Sequence, residues 1–120
     1  MRPNFVSLGA VCAAFGIGLG AFGAHALRGH VTDAELGLWE TATRYWLVGS
    51  LGMLLFGSWR RDREVSTLPG WFLLAGNLLF SASLYGLALG APRILGAVTP
   101  LGGLSLIAGF SSFAWSARSR

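Results

Sequence analysis

Lysine is absent from this sequence, and acidic residues number only five in 120 positions. All nine basic residues are arginine, and charged residues of both signs make up 12% of the chain. Ordinary soluble domains carry about 25% charged residues, so composition excludes a small domain with water on every side. No acidic residue stands inside an apolar run. Ion-coupled carriers commonly place Asp or Glu within a span, so this absence weighs against that class. The net charge of +4 does not describe a nucleic-acid surface, because the arginines sit at the ends of apolar runs and not on one polar face. The single cysteine, Cys12, excludes an intrachain disulfide. Of two histidines, His25 and His30, only His25 falls in an apolar run. One such histidine cannot supply a facing pair of haem ligands. No cluster of His, Cys and carboxylates offers the three or four ligands zinc needs. No cofactor and no metal are expected, and no catalytic residue is assigned. Ser81, Ser83 and Tyr85 have no base near them other than His25, so the chain is not read as an enzyme.

What is present is long uncharged runs. Pro3–Leu27 is uncharged for 25 residues, Tyr45–Trp59 for 15, Val65–Pro92 for 28 and Ile94–Ala117 for 24. A helix spans a bilayer with roughly 20 apolar residues, which three of these runs exceed. The second is short, but its helix starts earlier. Thr32-Asp33-Ala34-Glu35 matches a capping box, with Thr32 as N-cap and Glu35 at the third helical position. Glu40 and Arg44 follow at the favourable i,i+4 spacing. The reading is one domain, 1–120, all-α, an integral membrane four-helix bundle with spans at about 4–27, 42–59, 68–90 and 94–116. An amphipathic helix start covers about 33–44 on the outer side. The first run also imitates a signal peptide, with Ala24-His25-Ala26 as the small-residue site. It is far longer than an h-region of about 7–15 residues, so it is expected to be retained.

Four spans put both termini on one side, together with Arg2, Arg60, Arg61, Arg63, Arg118 and Arg120. The other side carries Arg28, Arg44 and Arg93. The positive-inside rule places both termini in the cytoplasm. Trp59, Trp71 and Trp115 then fall near the inner boundary, and Trp39, Trp46 and Tyr85 near the outer one, as belts of anchoring rings.

Small residues mark where helices would approach. Cys12, Gly16, Gly20 and Ala24 recur at i+4, and Gly102, Ser105, Gly109, Ser112 and Ser116 alternate steps of three and four. Such stripes allow close helix contact, within the chain or between chains. Asn77 is expected near mid-membrane, bonded to a neighbouring helix. Topology also predicts that His25, Glu40, Tyr45, Tyr85 and Thr99 gather as a polar cluster around the glycine-rich end of the first helix.

Gly-Ala-Phe-Gly-Ala-His-Ala-Leu at 20–27 resembles the signature of the YgdD-like small inner-membrane proteins. That family is of unknown function and has a eukaryotic small transmembrane relative. The resemblance continues through Trp39-Glu40-Thr41-Ala42 and Tyr45, then Leu79-Phe80-Ser81-Ala82-Ser83-Leu84-Tyr85, then Leu95-Gly96-Ala97-Val98-Thr99-Pro100-Leu101-Gly102-Gly103. It touches all four spans in order. The family pattern after the tyrosine has a glutamine and then a histidine, and Trp46 and Gly49 stand in those places here. The resemblance implies a four-helix, multi-pass protein of the bacterial inner membrane and no activity. The expected role is therefore structural or accessory: a small protein in contact with the lipid bilayer that packs as a homo-oligomer or in a larger membrane complex. A carrier or channel for a small solute or lipid is the alternative, and a polar cavity between the first, third and fourth helices would favour it.

Overall fold

In the computed structural model, which describes residues 3–118, four helices follow one another with short connections. They are α1 (Phe5–Leu27), α2 (Asp33–Arg60), α3 (Leu68–Ala88) and α4 (Leu95–Ala117). No strand forms among the described residues; one isolated bridge joins Arg28 and Val31. Three of the helices, α1, α3 and α4, are long and apolar enough to cross a membrane by length and composition. The fourth, α2, carries the charged start that the capping box announces. Glu35 N donates to Thr32 Oγ1 at 3.1 Å, and Thr32 N donates to Glu35 Oε1 at 2.9 Å. The helix then runs unbroken for 28 residues. Arg2 and Arg120, counted among the same-side arginines, lie outside the described residues.

Two turns reverse the chain at one end of the molecule. Each uses a glycine in the left-handed region, Gly29 at φ 87° after α1 and Gly90 at φ 94° after α3. A side chain is strained there, and glycine is the usual residue past a helix end.

The helices pack in chain order. α1 lies along α2, α2 along α3, and α3 along α4; α4 reaches α2 through Phe110, which meets Gly52, and through Phe113, which packs on Phe56 and Trp59. The result is a rod of 49 × 27 × 25 Å with α2 and α3 at its centre. Cys12, Met53, Leu73 and Leu106, one from each helix, form a buried cluster. Glycines set the helix separations. A Cβ on Gly16 would lie 2.7 Å from Trp46, one on Gly20 would lie 3.2 Å from Thr43, and one on Gly23 would overlap the Trp39 ring. Between α3 and α4, a Cβ on Gly102 would overlap the Phe80 backbone, and one on Gly109 would sit 2.7 Å from Leu73. Ser105 Oγ donates to the Phe72 carbonyl at 2.8 Å. Gly16, Gly20, Gly102, Ser105 and Gly109 therefore face partners within this chain, while Ala24 is exposed.

Candidate functional site

Lipid offers no hydrogen bonds, so polar groups in an apolar rod must find one another. They do so along α2. Trp46 Nε1 donates to the Cys12 carbonyl at 2.6 Å, and Trp39 Nε1 donates to the Leu19 carbonyl at 2.8 Å. The two donors and the two acceptors are each seven residues apart, so one antiparallel register fixes both bonds. The neighbouring face of α2 meets α3. Asn77 Nδ2 donates to the Trp46 carbonyl at 3.1 Å and to Ser50 Oγ at 3.2 Å. Ser81 Oγ donates to the Ala42 carbonyl at 2.8 Å, and Tyr85 Oη shares a 2.7 Å bond with Thr43 Oγ1. Asn77, Ser81 and Tyr85 succeed one another at i+4, so one stripe of α3 forms all of these contacts. The expectation that Asn77 bonds a neighbouring helix is met.

Asn77 is fully buried, and its Oδ1 has no hydrogen-bond partner among the described residues. That oxygen faces Gly49, where a Cβ would overlap it. Gly49 and Trp46 are the positions that depart from the resembled pattern, and both touch this bonded group.

The helical winding widens beside the seam in two places, at Gly23–Leu27 in α1 and Asn77–Ser81 in α3. Such π-type turns are rare and often accompany functional positions. The first holds His25, exposed, and ends at Leu27, which packs with Leu36, Trp39 and Ala88. Beside it a groove of about 330 Å³ is lined by Gly20, Gly23, Ala24, Trp39, Glu40, Thr43 and Arg44. This groove, lined by Trp39 and by Thr43, whose hydroxyl bonds Tyr85, is the candidate site.

The five expected cluster residues make the following contacts. Glu40 lines the groove. Tyr85 bonds the groove residue Thr43 and packs edge-on to Trp39, ring centroids 4.4 Å apart. Tyr45 turns to the other side of α2 and packs against Phe80 at 5.1 Å. Thr99 shares a 2.5 Å bond with Ser83 Oγ and also donates to the Leu95 carbonyl at 3.2 Å. His25 stays at the surface of its turn. No hydrogen bond joins any two of the five among the described residues. Nor do any three His, Cys, Asp or Glu side chains among them gather as a metal set.

Trp39 and Trp46 read as boundary anchors in the sequence. In the structure Trp39 is 4% exposed, and both rings fill the space that α1's glycines leave. A belt pattern cannot separate a ring lying in headgroups from one turned inward.

Residues 19–103 match the family described as protein of unknown function (DUF423). The chain is 44% identical over 107 residues to a UPF0382 membrane protein of Staphylococcus haemolyticus, covering 88% of each chain. It is 42% identical over 107 residues to the UPF0382 membrane protein YwdK of Bacillus subtilis, covering 86% of each. No solved structure matches. The matched region begins at the Trp39-bonded turn of α1 and ends at the Gly102 contact of α4, so it contains the groove and all of the bonded residues along α2 and α3 except Cys12. The chain thus belongs to the DUF423 family of UPF0382 membrane proteins, and it is a small membrane protein.

Proposed function

We propose that this protein is a four-span membrane bundle with both termini in the cytoplasm, serving as a structural or accessory subunit and not as an enzyme. One observation carries the reading: the polar side chains at the centre are tied helix to helix. Trp39, Trp46, Ser81 and Ser105 bond backbone carbonyls of neighbouring helices, and Tyr85 and Ser83 bond hydroxyls across the same gaps. A carrier needs such groups free to meet a solute. The grooves beside Gly57 and beside Trp39 both lie between α1 and α2, and where α1, α3 and α4 converge Cys12, Leu73 and Leu106 form a buried apolar cluster with Met53.

The spans at 4–27, 42–59, 68–90 and 94–116 assign α1, α3 and α4 almost whole, and α2 from its seam onward. The bacterial inner membrane is the location that the YgdD-like resemblance and the arginine distribution support. The partner is a second copy or a larger membrane complex. It would be met by the outward faces of α1 and α4, where Val11, Phe15, Ile17, Leu104 and Ile107 are each more than 60% exposed. Mass measurement of the protein extracted directly into native-lipid nanodiscs tests this. Particles holding two or more copies, or a stoichiometric partner, are expected. Single copies without a partner would overturn the accessory reading.

A further inference from the structure

The end of the rod where α1 begins and α2 finishes holds an unbalanced positive site. α1 starts at Phe5, and the Asn4 side chain accepts from Ser7 N at 3.0 Å. The first amides of a helix have no partner within it and concentrate positive potential. Phe5 and Val6, the residues of those amides, line a groove of about 280 Å³ with Pro3, Asn4, Gly57, Arg60 and Arg61. The groove exists because α1 crosses α2 at Gly57. A Cβ there would lie 2.7 Å from Val6 N and 2.9 Å from Phe5 Cβ.

Arg60 forms part of the lining and is 7% exposed, with its Nε buried and without a hydrogen-bond partner among the described residues. The neighbouring arginines differ. Arg63 donates to the Trp59 carbonyl and lies 4.8 Å over the Trp59 ring. Arg118 donates to the Trp115 carbonyl at 2.6 Å and stacks 3.7 Å over its ring. Arg60 stands 6.0 Å from the Phe56 ring centroid, and no carboxylate among the described residues lines the groove. A buried cation without a counter-ion is unfavourable. The group that fits is an anion able to take the arginine fork and helix amides together, which is the pattern of phosphate recognition.

We propose that this groove binds a phosphate group, with Arg60 as its principal cation, Arg61 as a second, and the Phe5 and Val6 amides completing the contact. The phosphate is that of an anionic lipid headgroup or free phosphate. The lipid source rests on the four-span reading, which sets this end at headgroup depth, where basic pockets take anionic lipids. The free source does not require it.

Native mass spectrometry of the full chain, titrated with phosphatidylglycerol, phosphatidylcholine or inorganic phosphate, tests the site. At least tenfold preference for phosphatidylglycerol over phosphatidylcholine is expected. Arg60→Gln should abolish that preference, while Arg93→Gln, at the opposite end, should leave it intact. Circular dichroism of Arg60→Gln separates lost binding from lost fold; if that variant does not fold, Arg61→Gln replaces it, with a partial loss expected. Saturable inorganic phosphate binding without a lipid preference keeps the site, assigns it to free phosphate, and directs the failure to the membrane placement. Equal affinity for both lipids without saturable phosphate binding, or equal losses from Arg60→Gln and Arg93→Gln, would overturn the proposal.

Discussion

Asn77 is where a single residue carries most structural consequence. Its amide ties α3 to both the Trp46 carbonyl and Ser50, in an environment without water to replace either bond. Interhelical hydrogen bonds in membrane proteins contribute about 0.6 kcal/mol on average and up to about 2. Asn77→Ala should therefore lower stability by about 1–2 kcal/mol, read from detergent-driven unfolding followed by helical circular dichroism. An unchanged midpoint would show that the bonds are replaced elsewhere. At this scale the sequence was partly legible. An asparagine in an apolar run must find a partner, and it does. Arg60 was not legible, because it sits in Arg60-Arg61-Asp62-Arg63-Glu64 and looks like one residue of a solvated knot. Its burial follows from Gly57, which lets α1 close over it, and no local pattern displays that.

At the scale of helices, the glycines divide into those that touch a neighbour and those that do not. Gly102 and Gly103 are adjacent in α4. A Cβ on Gly102 would overlap the Phe80 backbone, whereas one on Gly103 finds nothing closer than the Phe80 ring at 3.7 Å. Gly102→Ala should cost about 1–3 kcal/mol by pushing α4 from α3. Gly103→Ala should change stability by less than about 0.5 kcal/mol. The same unfolding titration compares them, and equal effects would refute this account of the α3–α4 contact. The start of α2 was legible because a capping box is local chemistry. The wide turns at Gly23–Leu27 and Asn77–Ser81 were not. Widening a turn shifts the backbone bonding by one residue and leaves composition and apolar periodicity almost unchanged. The inward turn of Trp39 depends on the gaps at Gly20 and Gly23, which lie on another helix.

For the whole molecule the test is sidedness. With Cys12 replaced by serine, single cysteines can be introduced as His30→Cys, Ser66→Cys and Ser116→Cys. An impermeant maleimide added to intact cells should label His30→Cys and spare the other two until the cells are opened. Labelling of Ser66→Cys or Ser116→Cys in intact cells would reverse the orientation. The order and number of helices were legible from charge punctuation, because an uncharged run of over 20 residues has few other fates. Which helix lies at the centre was not, since α2, the most polar, is the one that bonds both neighbours.

The chain-order packing bears on assembly during synthesis. α2, α3 and α4 each pack against the helix made just before, through a short connection. α1 can dock on α2, and that pair on α3, before α4 is made, leaving the places of Leu106 beside Met53 and of Phe110 at Gly52 for α4 to fill. Contacts between consecutive elements carry little loop-closure cost and form quickly. Nascent chains truncated after α3 should therefore already hold α1 and α2 in their final register, with α4 the last piece to arrive.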